Sequence, residues 1–311
     1  MIEAFGRIRA RLGAQGPRLI AITQRVFLVV ALVVIAIYLL RNAGALRPLL
    51  SARTAFAIAA AAVLLALLHP LIGIAMFQLQ RFFGISIDLA ASLDIYMRRI
   101  PARYIPGGVW HSVARYADMK FDAGVGGDRL RKLFLAETAL VATSGLVASG
   151  VGLAALPADS PIFVFSGLQM AGGVAVAVVA LLLARRGAWR RIVAASLLMV
   201  LVWSGGAATF VLVASPLLDS GPSACPASAI SATYLVAAVQ GYLAIFAPQG
   251  WGVAEASFAL LNTCTAPGPA IVGGFLLYRL SAIVGDVLGY ASWVAVARRF
   301  LFRRGIQTRA D

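Results

Sequence analysis

Two short breaks and a handful of ionisable side chains hold the chemistry that this sequence can do. Pro106-Gly107-Gly108 and Pro248-Gln249-Gly250 interrupt apolar sequence 142 residues apart, and a tryptophan follows each, Trp110 and Trp251. Proline removes a backbone donor and glycine weakens a helix, so each triplet ends one helix and lets another begin. The spacing predicts returning helices that start just after the glycines, at Val109 and Trp251. A helix start carries unpaired N–H groups and a partial positive charge, which together bind phosphate or carboxylate. Two such starts with arginine nearby make an electropositive pocket suited to a lipid phosphate. The alternative is that each triplet only permits a kink packed against its neighbours.

Arg115 lies two turns into the first returning helix and Glu255 one turn into the second, where the helix dipole favours a carboxylate. Glu137 and Arg279 take equivalent places in the helices that follow, again 142 residues apart. Arg279 and Asp286 are seven apart and share one helical face. Charges at membrane depth are rare enough to be functional candidates by default. The same positions also read as two ion pairs, Glu255 with Arg279 and Glu137 with Arg115, that only brace the breaks against neighbouring helices. Trp110 and Trp251 either wall the site, anchor at the interface or fill space. Gly285-x-x-x-Gly289 and Gly145-x-x-x-Ser149 read as faces for close helix packing. With two histidines, His69 and His111, and no cysteine cluster, a metal centre lacks ligands, and no serine has a companion histidine and aspartate for nucleophilic catalysis. The reading is a non-enzyme without a cofactor.

These residues need elements to position them, and composition decides which. Hydrophobic residues make up 61% of the 311 and charged residues 13%, too few polar side chains to clothe a soluble globule of this size. The fold class is therefore an all-α polytopic membrane protein, a single membrane domain over 1–311. Apolar runs long enough to span fall at 20–40, 55–77, 133–156, 162–184, 192–214 and 270–297. Between them, 85–120 and 229–264 each hold two helical pieces of about half to two-thirds of a span around a break, which predicts two re-entrant hairpins.

Arginine places the loops. Arg7, Arg9, Arg11 and Arg18, then Arg185, Arg186, Arg190 and Arg191, then Arg298, Arg299, Arg303 and Arg304 face the cytoplasm, so six crossings leave both termini cytoplasmic. Arg41, Arg47 and Arg53 in the first external loop run against this assignment. Shifting the chain by 142 lays 20–156 on 162–297, an inverted repeat in which the hairpins enter from opposite faces and meet near the midplane. The net charge of +15 belongs to span ends and anionic headgroups rather than to nucleic acid.

In order along the chain, Tyr104-Ile105-Pro106-Gly107-Gly108-Val109-Trp110, Glu137, Pro248-Gln249-Gly250-Trp251-Gly252-Val253-Ala254-Glu255 and Arg279 resemble the flippase-like integral membrane family. That family includes the transmembrane region of lysylphosphatidylglycerol synthases. The likeness is to stand-alone members without the synthase domain. Gly108 stands where a basic residue is often found, and Ala254 where the family often has arginine. The resemblance implies a multi-pass protein of the bacterial cytoplasmic (inner) membrane that moves a lipid or lipid-linked intermediate, with an anionic headgroup, between leaflets. The breaks, the buried charges and this resemblance together give as candidate substrate-binding residues Pro106, Gly107, Gly108, Trp110, Arg115, Glu137, Pro248, Gly250, Trp251, Glu255, Arg279 and Asp286. Two other readings stay open: a membrane partner of a glycosyltransferase or lipid-modifying enzyme, and a small-solute secondary transporter. The two cysteines, Cys225 and Cys264, flank the second hairpin on its external side, where a disulfide is expected if the hairpin brings them together.

Overall fold

The computed structural model describes residues 51–104, 110–150, 161–183, 189–218, 226–244, 250–262 and 268–301. The expected span 20–40, the triplet Pro106-Gly107-Gly108, Pro248 and both Cys225 and Cys264 lie outside the described residues. Among the described residues every regular element is helical: α1 (Ala52–Phe82), α2 (Leu89–Arg98), a 3-10 helix (Ile100–Tyr104), α3 (Trp110–Phe121), α4 (Gly127–Ala148), α5 (Pro161–Leu183), α6 (Trp189–Leu218), α7 (Ala227–Leu243), α8 (Val253–Leu261) and α9 (Gly268–Leu301).

Three of these are long and apolar enough to cross a bilayer: α1 with 31 residues, Trp189–Leu217 of α6 with 29 and Ala270–Val296 of α9 with 27. The chain is a helical, multi-pass membrane protein. Five of the predicted spans fall on α1, α4, α5, α6 and α9, and all five helices start before the apolar run does. The difference is largest in α4, which starts six residues before the expected 133 and ends at Ala148. Its first turns are polar, and Asp128 there accepts from Lys132 at 2.6 Å and Arg131 at 2.9 Å, an exposed cluster that an apolar window excludes. The bond from Lys132 holds the Asp128 carboxyl below the ordinary carboxylate range.

Small residues set how the long helices meet. α1 packs against α6 and α9, and α6 against α9. A Cβ placed on Gly285 would stand 2.8 Å from the Ala62 carbonyl oxygen, and one on Gly289 would stand 2.9 Å from the His69 ring, so the α1–α9 contact is closest along the glycine face. Pro70 lies inside α1 and offers no N–H to the Ala66 carbonyl, which faces Gly289 at the same contact. Gly145 does the same for α4, where a Cβ would meet Trp203 of α6 at 2.8 Å and Val239 of α7 at 3.0 Å. The Trp203 indole N–H also donates to the Val141 carbonyl at 3.1 Å. Gly285→Ala is therefore expected to lower stability by about 1–3 kcal/mol through overpacking against backbone. Gly167→Ala in α5, with nothing within 4 Å, should not lower it; thermal unfolding in detergent compares the two.

Candidate substrate site at the two helix breaks

In the second break, α7 and α8 form a hairpin. Gly241 near the end of α7 lies against Gly250 and Ala254, while Leu261 at the end of α8 clusters with Ala229, Ala232 and Val236. The chain thus returns along itself. The arms are unequal, however: α7 has 17 residues and α8 has 9, so α7 exceeds the piece of about half to two-thirds of a span expected on each side of the break. Nothing polar interrupts α7 strongly, and its Thr233 hydroxyl donates to its own helix at the Ala229 carbonyl, so the helix continues to Leu243. α8 starts at Val253 rather than at Trp251, because Gly250 and Gly252 both take positive φ, +71° and +81°, which no helix accommodates.

This offset fixes the chemistry of the α8 start. Glu255, in its first turn, accepts from the Gly252 N–H at 2.8 Å through one oxygen and from Arg279 at 2.8 Å and 3.1 Å through the other. The Arg279 guanidinium lies 4.2 Å from the centre of the Trp251 ring, in cation–π range. One of the helix-start donors expected to face an anion is thus held by the helix's own carboxylate. Behind it stands an aromatic core: Phe210 of α6 stacks on Tyr234 of α7 at 4.4 Å and touches Phe258 of α8 and Phe275 and Tyr278 of α9.

The first break is built from polar residues instead. α2 is capped by Asp88, whose carboxylate accepts from the Ala91 N–H at 2.8 Å. The 3-10 turn Ile100–Tyr104 carries the chain to residues 105–109, and α3 begins at Trp110. Arg115 of α3 is 2% exposed and pairs with Glu137 of α4, which also accepts from the Tyr116 hydroxyl. The Arg115 guanidinium lies over the rings of Tyr96 and Tyr116, and its second partner is Ser112 at 3.2 Å. A bidentate pair between Arg99 and Asp118, with Nε to Oδ2 at 2.7 Å, ties the end of α2 to α3. Buried charge is tolerated here because each one has a partner.

Asp286 does not join Arg279. Seven residues separate them, about 10.5 Å along the axis, and each meets a different break. Asp286 accepts from the Tyr104 hydroxyl at 3.0 Å and lies 3.4 Å from Arg103, both directly before residues 105–109, and lies 2.7 Å from His69 of α1. Arg279 meets Trp251 and Glu255 directly after residues 245–249. One helix, α9, therefore holds the residues that flank both breaks. Of the sequence-predicted site residues, Arg115 and Glu137 come together, as do Trp251, Glu255 and Arg279; Gly250 supports the second group and Asp286 joins a third. Sequence reasoning missed His69, Tyr96, Arg103 and Tyr116 as members of the site. The order His69-Pro70 inside an otherwise apolar helix was the one available signal for the first of these.

Comparison with protein-family models, with curated proteins and with solved structures finds no match for this chain.

Proposed function

We propose that the protein translocates a lipid or lipid-linked intermediate with an anionic headgroup between leaflets, through a site where two re-entrant hairpins, 85–120 and 229–264, meet among six crossings. The observation that carries this reading is α9, which sets Arg279 against the residues after one break and Asp286 against those before the other. Breaks at membrane depth are tolerated where protein or a wet cavity satisfies the backbone, and two held on one helix fit a shared site.

The inverted repeat is supported by packing. Exchanging the elements of 20–156 with those of 162–297 maps neighbouring pairs onto one another: α1 with α9 onto α6 with α4, α1 with α2 onto α6 with α7, α2 with α9 onto α7 with α4, and α3 with α4 onto α8 with α9. The α1–α6 contact maps onto itself. The ion pairs obey the same exchange with charges reversed, Arg115 to Glu137 in one half and Glu255 to Arg279 in the other.

The arginines are already balanced by carboxylates, so the site is not the open electropositive pocket that the breaks alone imply. A headgroup phosphate binds in this reading by displacing Glu255 from Arg279, exchanging one charge-assisted partner for another. Reconstitution in liposomes with fluorescent phospholipids of different headgroups, read by quenching from the outer leaflet, tests it. The expected result is faster leaflet exchange of an anionic lipid than in protein-free liposomes, and its loss in Arg279→Gln. Equal rates with and without protein for every anionic lipid would turn the reading toward the membrane-partner role, in which these pairs are braces.

A further inference from the structure

The couple formed by His69 and Asp286 is not used by the phosphate exchange just described. His69 is 3% exposed and Asp286 8%, and they stand on α1 and α9, two of the helices able to cross a bilayer. His69 Nε2 lies 2.7 Å from Asp286 Oδ1, and Nδ1 lies 3.5 Å from the Tyr96 hydroxyl. We propose that this couple is a proton-binding site, which takes up one proton at His69 Nδ1 and thereby weakens the hold of Asp286 on Arg103 and Tyr104 of the 3-10 turn.

The hydrogen-bond chemistry runs in one direction. A neutral ring donates from Nε2 to the Asp286 carboxylate and keeps its Nδ1 lone pair toward Tyr96, whose hydroxyl can donate to it. When a proton arrives, an N–H bond forms at Nδ1, the Tyr96 oxygen becomes the acceptor, and the ring turns cationic while the contact to Asp286 persists. Nothing is oxidised and no other bond breaks.

The surroundings make that charge compete for Asp286. From the 3-10 turn, Arg103 and Tyr104 face Asp286; from α2, Tyr96 faces His69, while Asp94 is engaged by Trp293 of α9 and Arg98. From α3, His111 stands edge-on to Tyr96 at 5.3 Å and Arg115 lies over the same ring at 5.5 Å, its charge met by Glu137 of α4. On α9 itself Arg279 is held by Glu255 of α8. With His69 neutral, Asp286 faces one cationic group, Arg103. With His69 cationic, two positive groups share Asp286, and Arg103 at 3.4 Å is held at a longer distance than the ring at 2.7 Å. Arg103 and Tyr104 close the 3-10 turn, so the competition acts on the last described residues before 105–109.

Proton uptake stands on its own geometry, whereas its consequence for lipid rests on the translocation reading. The chain has two histidines, so nitrogen-15 imidazole signals of the full chain in nanodiscs can be assigned with His111→Gln alone. The expected result is that the His69 Nδ1 signal changes from that of a bare ring nitrogen to that of an N–H when the pH is lowered, while the Nε2–H signal persists and is altered in Asp286→Asn. A His69 ring that keeps one form throughout overturns the proposal, whether or not lipid moves. In liposomes, an imposed pH step should change the rate of lipid exchange by about fivefold or more, with His69→Gln removing that response. Exchange that ignores the pH step sinks the coupling and leaves translocation standing. A titrating ring without any lipid exchange supports the proton site and sinks the translocation reading.

Discussion

Arg115→Gln is expected to cost about 3–5 kcal/mol of stability, because it strands the Glu137 carboxylate in a place made for a charged partner. Arg115 is among the largest fully buried side chains, and its removal also unroofs Tyr96 and Tyr116. Glu137→Gln should cost a similar amount, since the buried guanidinium loses its counter-charge and the one remaining amide oxygen cannot replace both carboxylate oxygens for Arg115 and the Tyr116 hydroxyl. Removing both charges together should cost less than the two single changes added, because neither charge is then left alone; a double-mutant cycle in detergent gives the difference. The same double variant separates brace from site. A pair that only braces the hairpin lets lipid exchange return along with stability, whereas a pair that handles the headgroup leaves a stable protein without exchange.

That this pair exists was readable from residue spacing, and the reason is local. Arg115 sits two turns past one break and Glu255 one turn past the other, so each projects from a short returning helix toward the helix that follows in sequence, where Glu137 and Arg279 wait. The long helices were readable too, since apolar length alone sets them. What could not be read was which distant elements close over the breaks. His69 and Asp286 are separated by 217 positions, and Tyr104 and Asp286 by 182, so their meeting depends on α1 and α9 packing along Gly285 and Gly289, a contact that no local pattern specifies. The shared face of Arg279 and Asp286 suggested one site. A 3-10 turn that brings Arg103 and Tyr104 to Asp286, with Trp251 and Glu255 at Arg279, divides that face between the two breaks.

Gly250→Ala is expected to disrupt the second hairpin through two costs that add. The residue holds φ at +71°, where any side chain costs about 1–3 kcal/mol. A Cβ there would also stand 2.8 Å from both the Cα and the carbonyl carbon of Gly241 and 2.9 Å from its oxygen, all backbone atoms that cannot rotate away. Relieving that contact means parting α7 from the start of α8, for about another 1–3 kcal/mol, and it shifts Trp251 and Glu255 away from Arg279. Gly252→Ala isolates the first cost, since Gly252 has φ +81° but nothing within 4 Å of the added methyl. Unfolding midpoints in detergent should therefore fall further for Gly250→Ala than for Gly252→Ala, and lipid exchange should be lost in the former at temperatures where it is still folded. Equal losses in the two variants would mean that the close approach of Gly241 to Gly250 does not hold the hairpin, and the placement of Trp251 and Glu255 against Arg279 would then have to rest on the cation–π contact and the ion pair.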